Sequence, residues 1–286
     1  MKKVLITGAK GQLGLSIRSI TEANMPLELI FTDREELDIT QKDAVLSFFR
    51  DHDPDYCINC AAYTQVDQAE KEPDRCFEIN VKGVQNLVTA CTESQCILIH
   101  ISTDFVFDGK KGTPYCTTDK PNPINVYGTS KHESEQIIQK ALSKYFIVRT
   151  SWLYSEYGNN FVKTMLRLGE EREEILVVND QIGSPTYSGD LAAFLFRLIG
   201  EDNQEWGVYH YSNKGKASWF EFAQAIIEIK GLECMVFPTT SEEYKTAAKR
   251  PAYSILDTTK TERLLRPDIL RPWLESLERC LQKSGD

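Results

Sequence analysis

The stretch KVLITGAKGQLG, residues 3–14, decides the fold. It joins an apolar run to three glycines in the spacing G-x-x-G-x-x-G, at Gly8, Gly11 and Gly14, and an amphipathic segment follows. Glycines in such a turn leave no Cβ to block a phosphate, and the free amides at the start of the next helix favour an anion. The stretch therefore predicts a strand, a turn and a helix that together bind the pyrophosphate of a dinucleotide.

Short apolar runs alternate with amphipathic segments through the first half of the chain. The runs are almost continuously apolar, which is typical of parallel strands covered on both faces. We predict strands at 3–7, 28–33, 55–61, 96–102 and 145–151, with helices near 12–21, 41–51, 75–93 and 129–142. This alternation predicts an α/β fold with a Rossmann-like, doubly wound parallel sheet and helices on both faces.

The pattern loosens after about residue 151. We expect helices near 159–170, 188–199, 217–230 and 271–282, and short strands near 175–178, 207–211 and 234–237. Residues 1–150 are interpreted as a dinucleotide-binding Rossmann domain. Residues 151–286 are expected to form mainly a smaller C-terminal substrate-binding domain, with some later segments returning to the main sheet.

Composition excludes several classes of function. The 286 residues carry a formal net charge of −9, and no Lys/Arg run suggests a nucleic-acid-binding face. No apolar run approaches the ~20 residues of a membrane span, and the N-terminus lacks a secretory apolar region. The eight cysteines and four histidines show no metal-site spacing. We therefore expect no membrane or nucleic-acid partner, no metal site, and reduced cysteines in the cytoplasm.

The end of the second predicted strand bears on the choice of dinucleotide. Asp33 could accept hydrogen bonds from the adenosine ribose, which favours NADH. Arg34 follows at once and Lys10 lies in the glycine turn, and either cation could meet the 2′-phosphate of NADPH. We expect both cofactors to be usable, with a preference for NADPH. Other residues expected near the cofactor are Asp38, Ile39, Ala61 and Ala62.

A phenol and an ammonium lie four residues apart in NVYGTSK, residues 125–131. On a helix, Tyr127 and Lys131 would share one face, and Thr103 ends the fourth predicted strand, at the sheet edge where ligands bind. We predict that Lys131 lowers the pKa of Tyr127 and that the phenol protonates a carbonyl oxygen as hydride arrives from a nicotinamide. Thr103 would hold the same oxygen by a hydrogen bond.

At this point the chain resembles the extended short-chain dehydrogenase/reductases and, among them, the dTDP-4-dehydrorhamnose reductase family. The resemblance covers residues 7–257. The stretches that carry it are TGAKGQLG (7–14), NCAAYTQVDQAE (59–70), ISTDFVFDG (101–109), PINVYGTSKHESE (123–135), NFVKTMLRL (160–168), NDQIGSPT (179–186) and RPAYSILD (250–257).

The resemblance implies reduction of the C4 ketone of dTDP-4-dehydro-L-rhamnose by NADPH or NADH, so that a dTDP-sugar is the expected partner. It implies that Tyr127 donates the proton, with Lys131 and Thr103 completing the catalytic set. The implied cofactor groove comprises Gly8, Gly11, Gln12, Leu13, Gly14, Asp33, Arg34, Asp38, Ile39, Ala61, Ala62 and Tyr63, besides Tyr127 and Lys131. The implied substrate residues are Thr103, Asp104, Trp152, Asn160, Gln181 and Arg250, with Arg250 at the diphosphate.

Two alternatives remain open at this stage. One is another nucleotide-sugar enzyme, a 4-epimerase or a reductase for a different sugar. The other is a non-catalytic regulatory subunit that binds a dinucleotide, although Thr103, Tyr127 and Lys131 are all present. Magnesium is compatible with Glu275 and Glu278, three residues apart on a predicted helix, but a solvated helix face explains that pair as well. A homodimer is compatible with the sequence.

Overall fold

The computed structural model describes residues 1–20, 27–200, 203–264 and 270–283. The strands are β1 Lys2–Thr7, β2 Leu27–Phe31, β3 Tyr56–Asn59, β4 Ile97–Thr103, β5 Tyr145–Thr150, β6 Leu153–Tyr154, β7 Glu174–Val178, β8 Ile182–Gly183, β9 Thr186–Tyr187, β10 Gly207–His210, β11 Ala217–Ser218 and β12 Met235–Thr239. The α-helices are α1 Gln12–Ile20, α2 Lys42–His52, α3 Val66–Ala69, α4 Pro73–Phe77, α5 Val84–Ser94, α6 Val126–Ala141, α7 Phe161–Glu171, α8 Ser188–Gly200, α9 Trp219–Lys230, α10 Thr259–Leu264 and α11 Trp273–Lys283. A π-helical turn, Glu78–Gly83, joins α4 to α5, and a 3₁₀ turn, Asp104–Val106, follows β4.

A six-stranded sheet forms the centre of the molecule, in the order β10-β5-β4-β3-β1-β2. All five strand pairings in it are parallel. Strand β2 lies on one side of β1 and β3 lies on the other, so the strand order reverses at β1. Ligands of open α/β sheets bind at such a switch point, beyond the carboxyl ends of the strands. The predicted Rossmann-like fold is confirmed.

Side chains of the central strands alternate between two apolar layers. Val4 and Ile6 of β1 pack with α1 and α8, whereas Leu5 packs on the opposite face with α2 and α5. This is the two-residue period of a strand covered on both sides. Cys57 and Cys60 fall into opposite layers in the same way, and both thiols are free.

Two segments from the second half of the chain complete the central layer. Strand β10 pairs in parallel with β5, from Gly207 opposite Phe146 to His210 opposite Arg149. Helix α8 contributes Leu191 and Leu195 to the apolar layer that contains α1. The chain therefore leaves the central sheet after β5 and returns to it.

The rest of the second half forms a smaller lobe. Three two-stranded sheets, β7 with β12, β8 with β11 and β6 with β9, lie beside helices α7, α9 and α11. Four of these strands, β6, β8, β9 and β11, contain two residues each, too few to show a period in the sequence. The described residues include no helix that is long and apolar enough to cross a membrane.

Asp190 on α8 fastens the C-terminal helix to the central layer. Its Oδ2 accepts hydrogen bonds from Asn213 at 2.9 Å and from Ser276 at 2.5 Å, and both of these side chains are buried. Its Oδ1 accepts from Arg271 at 2.9 Å and from Arg279 at 2.8 Å. One carboxylate thus receives four donors from two separate segments of the chain.

We expect Asp190→Ala to lower the free energy of unfolding by about 2–4 kcal/mol, because it removes the acceptor of the buried Ser276 hydroxyl and one acceptor of the buried Asn213 amide. Urea unfolding followed by circular dichroism measures the loss. Glu275→Ala is the matched control, since Glu275 is half exposed and meets the same Arg271 at 3.3 Å. It should change stability by less than about 0.5 kcal/mol. Equal losses in the two variants would contradict this account.

Candidate active site

In the turn after β1, positions 8 and 14 have room only for glycine. Gly8 has a φ of +64°, and a Cβ on it would lie 2.7 Å from the backbone nitrogen of Ala61. A Cβ on Gly14 would lie 2.5 Å from the Cα of Ala9. Any side chain at either position would push apart the turn, the loop after β3 and the first turn of α1. The spacing of the glycines therefore reflects how closely these three segments approach one another.

The first cavity lies beside this turn and has a volume of about 380 Å³. Asp33 closes one side, where its two carboxylate oxygens accept from the backbone amides of Lys10 and Arg34, each at 2.8 Å. Arg34 also meets Asp38 at 3.4 Å, and Lys10 meets Glu35 at 2.6 Å. The lining residues are Gly8, Gly11, Asp33, Arg34, Leu37, Asp38, Ile39, Thr40, Gln41, Cys60, Ala61, Ala62, Arg75, Glu78 and Ile79.

The second cavity, of about 510 Å³, continues the first along the carboxyl edge of the sheet. The two share Gly8, Gly11, Cys60 and Ala62. The second is lined further by Gln12, Leu13, Gly14, Thr64, Val66, Ile101, Ser102, Thr103, Asp104, Phe105, Tyr127, Lys131, Thr150, Ser151, Trp152, Leu153, Asn159, Asn160, Trp219 and Arg250. Volumes of ~300–1,000 Å³ are usual for ligand sites, and a glycine turn at the junction fits a dinucleotide pyrophosphate.

Local packing places Tyr127 at the centre of the second cavity. Asn125 caps α6, because its Oδ1 accepts from the backbone amide of Gly128 at 2.7 Å. A Cβ on Gly128 would lie 2.2 Å from the carbonyl oxygen of Phe105, so only glycine lets α6 approach the end of β4 this closely. Tyr127 then lies edge-on to Phe105, with ring centroids 6.1 Å apart. The start of α6 thus meets the segment that carries Thr103.

Burial raises the pKa of Tyr127 well above its usual range, and the neighbouring Thr103 side chain partly offsets this. The Nζ of Lys131 lies 3.0 Å from Nε2 of His100. Burial lowers the pKa of Lys131 to about 8. The lowering of the Tyr127 pKa by Lys131 stays a prediction: in this structure desolvation dominates the pKa of Tyr127, and the lysine contacts an imidazole.

Asp104 is a buried carboxyl group within the cavity. Burial raises its pKa to about 7, against the nearby hydroxyl groups of Ser254 and Thr103, which lower it. Its Oδ1 accepts from Thr103 at 3.1 Å. Its Oδ2 has no hydrogen-bond partner among the described residues. A ligand hydroxyl at that oxygen would satisfy it.

Two stacked indoles form one wall of the second cavity. The rings of Trp152 and Trp219 lie 3.6 Å apart and nearly parallel. Trp152 has a φ of +47°, a left-handed conformation that is strained for a bulky residue. A Cβ on Gly183 would lie 2.4 Å from the Trp152 ring. The lack of a side chain at Gly183 leaves room for the indole of Trp152, and stacking on Trp219 supports that ring despite the strained backbone.

The remaining predicted substrate residues have hydrogen-bond partners within the protein. Asn160 caps α7 and donates to Gln12 at 3.0 Å, which joins the glycine turn to the smaller lobe. Gln181 accepts from the indole of Trp219 at 3.2 Å. Arg250 pairs with Asp67 through two bonds, of 3.1 and 2.5 Å. Arg250 and Asn160 line the cavity, whereas Gln181 supports Trp219 from behind it.

The structure brings the predicted site residues together in this groove, with two exceptions. Tyr63 and Gln181 line neither cavity. Tyr63 is buried in the same apolar cluster as Tyr127, and its backbone amide donates to Asn80 of the π-helical turn. The sequence analysis missed Arg75 and Trp219, which occupy helical positions with no strand-end signal. It also missed His100, which looks like a core residue of its strand.

No metal site is evident among the described residues, which contain no group of three or more His, Cys, Asp or Glu side chains placed to hold an ion. Glu275 of α11, considered above for magnesium, pairs with Arg271, which lies just before that helix.

Comparison with known proteins finds similarity along the whole chain. The RmlD substrate binding domain family matches residues 1–285. A dTDP-4-dehydrorhamnose reductase of Aggregatibacter actinomycetemcomitans is 46% identical over 272 residues, 92% of this chain and 92% of that protein. The structure of one from Clostridium acetobutylicum has a TM-score of 0.95 at 42% identity, covering 99% of this chain and 100% of that chain. One from Bacillus anthracis, in complex with NADP, has a TM-score of 0.93 at 46% identity, with the same coverage.

The raised pKa of Asp104 predicts how stability depends on pH. Folding favours the protonated carboxyl group, so its contribution is present below the unfolded pKa of about 4 and is lost as pH rises through about 7. The loss amounts to as much as about 4 kcal/mol. Asp104→Asn should remove this loss, so that the variant gains stability relative to the wild type between about pH 4 and pH 7.5. Urea unfolding across this range measures the difference.

Asp108→Asn is the control. A backbone hydrogen bond from Lys110 and other donors lower the pKa of Asp108, so its contribution is lost as pH falls. The control should therefore lose stability relative to the wild type as pH rises from acid. Parallel curves for Asp104→Asn and the wild type would refute the role of burial.

Proposed function

This chain belongs to the RmlD substrate binding domain family, and we propose that it reduces the C4 ketone of dTDP-4-dehydro-L-rhamnose to dTDP-L-rhamnose with NADPH or NADH. It is an oxidoreductase of the nucleotide-sugar class. The observation that carries the proposal is the meeting of Thr103 and Tyr127 in one groove beside the glycine turn. The buried Asp104 and the indole of Trp152 complete a pocket in which a sugar ring has both polar and flat apolar partners.

A bound reduced nicotinamide would supply the hydride. The raised pKa of Tyr127 keeps its proton in place at neutral pH. The phenol then donates that proton to the C4 oxygen, which becomes a much stronger base than a phenolate as hydride arrives. Thr103, whose hydroxyl donates to Asp104 in this structure, would turn to donate to the same oxygen and hold it near Tyr127. Lys131, one helical turn further along α6, would hold the nicotinamide ribose.

Three further assignments complete the proposal: the preferred cofactor, the division of the chain and the location. Arg34 and Arg75 line the adenosine side beside Asp33, so two cations are available to a 2′-phosphate, and we favour NADPH over NADH. Residues 1–150, with α8 and β10, hold the dinucleotide, and most of 151–286 holds the dTDP-sugar. We propose a cytoplasmic location, because eight free cysteines suit a reducing compartment.

Tyr127→Phe should fold and bind NADPH but lose about 100- to 10,000-fold in turnover, because the proton donor is absent. The assay follows oxidation of NADPH with dTDP-4-dehydrorhamnose and identifies the product by NMR. Tyr145→Phe is the control and should keep turnover. Tyr145 is the first residue of β5, at the end of that strand away from the groove. Oxidation in proportion to product separates a reductase from an epimerase, which regenerates its cofactor. Full turnover in Tyr127→Phe would refute the assignment.

We propose that Arg250 binds the diphosphate of the substrate, held ready by its bidentate pair with Asp67. Arg250→Ala should raise KM for the dTDP-sugar about tenfold or more, with a smaller change in kcat, because a charge-assisted contact far from C4 is lost. Arg167→Ala removes a comparable Arg–carboxylate pair, with Glu171 on α7, outside the groove. It should leave KM unchanged, and equal KM values in all three proteins would contradict the proposal.

A further inference from the structure

A row of buried polar side chains crosses the sheet beneath the active site. Thr7 of β1 is in register with Asn59 of β3, and Asn59 is in register with His100 of β4. In-register neighbours of parallel strands point to the same face. Thr7 Oγ1 donates to Asn59 Oδ1 at 2.7 Å, and Asn59 Nδ2 lies 3.1 Å from His100 Nδ1. The row ends on α6, where His100 Nε2 lies 3.0 Å from Lys131 Nζ.

The direction of every hydrogen bond in this row is fixed by one backbone amide. The amide of Ala61 can only donate, and it donates to Asn59 Oδ1 at 3.2 Å. The other end of the Asn59 amide is therefore its NH₂ group, which donates to His100 Nδ1. A neutral imidazole has one acceptor nitrogen and one N–H. Since Nδ1 accepts, the proton of His100 is on Nε2.

The N–H of His100 is consequently directed at Lys131 and at Ser134. Ser134 Oγ, 3.2 Å from Nε2, already donates its own proton to the carbonyl oxygen of Lys131 at 2.7 Å, so it can only accept. Lys131 Nζ at 3.0 Å faces the same N–H. An ammonium at Lys131 Nζ has only N–H donors, so it would face the N–H of His100 without an acceptor. A neutral amine can accept that hydrogen bond with its lone pair.

We propose that His100 is a positioning residue that favours the neutral amine of Lys131 over the ammonium in the cofactor-free protein, and that in alkaline solution Lys131 takes up a proton from solvent when a dinucleotide binds. The ribose hydroxyl oxygens of the cofactor would provide acceptors for an ammonium at this position. The proposal deepens the proposed function and rests on Lys131 facing the nicotinamide ribose.

The surroundings of Lys131 are consistent with this assignment. Burial lowers the pKa of His100 well below its usual range, so the imidazole is neutral. The titratable groups that face Lys131 are His100 from β4, Cys60 after β3, Cys76 from α4 and Glu135 on α6. Burial raises the pKa of both thiols, which keeps them uncharged. The charge of Glu135 raises the pKa of Lys131 against the effect of burial, although Glu135 is also paired with Arg149 at 2.7 Å.

The first test determines the tautomer in the cofactor-free wild type. Nitrogen NMR on protein with ¹⁵N-labelled histidine distinguishes a protonated Nε2 from a protonated Nδ1. The signals of His100 are identified by substituting His52, His132 and His210 one at a time. We expect the proton on Nε2. A proton on Nδ1, or on both nitrogens near neutral pH, would overturn the proposal.

The second test measures protons taken up on NADPH binding, by calorimetry at about pH 9 in buffers of different ionisation enthalpy. A rise of the Lys131 pKa from about 8 to its ordinary value near 10.4 predicts an uptake of roughly 0.9 proton per NADPH in the wild type. His100→Gln offers an amide oxygen that can accept from an ammonium before the cofactor arrives, so the uptake should fall by at least about half.

His210→Gln is the matched control. It also removes a buried imidazole from the sheet, on β10, where His210 contacts Arg149 rather than Lys131. It should keep the wild-type uptake. An uptake below about 0.2 proton in the wild type, or the same uptake in His100→Gln, would refute the proposal. Neither test uses a sugar substrate, so failure of the proposed reductase activity and failure of this inference are distinguishable.

Discussion

Hydrogen bonding across the sheet, from Thr7 through Asn59 and His100 to Lys131, is the constraint on which the active site depends. Each of these groups is buried, and a buried polar group left unpaired costs about 1–3 kcal/mol. The row is therefore satisfied in one register of the strands only. Because the row ends on α6, the same strand register also sets the position of that helix relative to the sheet. Tyr127 is presented to the groove as a consequence of how three strands pair.

The groove exists because the chain leaves the sheet after β5 and returns to it. Helix α8 and strand β10 bring the smaller lobe back against the carboxyl edge, and Asp190 fastens the C-terminal helix to that layer. The contact between Gln12 and Asn160 then joins the glycine turn directly to the smaller lobe. A dinucleotide and a nucleotide sugar would thus meet between two bodies that share one apolar core.

Much of this architecture could be predicted because its signals are local. The main strands are apolar runs, and the turn after β1 follows from the spacing of its glycines. Tyr127 and Lys131 were found because an i,i+4 pair on a helix is visible in sequence. These features need no knowledge of which strand lies beside which.

The features that escaped prediction depend on tertiary neighbours. His100 looks like a core residue until its strand is placed beside Asn59. Tyr63 and Gln181 follow the right strands or loops but line neither cavity: the backbone amide of Tyr63 donates to Asn80, and Gln181 accepts from Trp219. The sequence shows the charge of Lys131 near Tyr127 but not the burial of the phenol, and burial raises the pKa of Tyr127.

The backbone conformation and the side chain of Trp152 favour different residues at this position. Its φ of +47° would suit glycine, yet the wall of the groove requires an aromatic ring there. The ring in turn occupies the space that a β-carbon at Gly183 would need. Evolution cannot enlarge residue 183 while keeping the indole, nor shrink residue 152 without leaving a hole beside Trp219. Residues 152 and 183 can therefore change only together, and the shape of this wall of the second cavity depends on both.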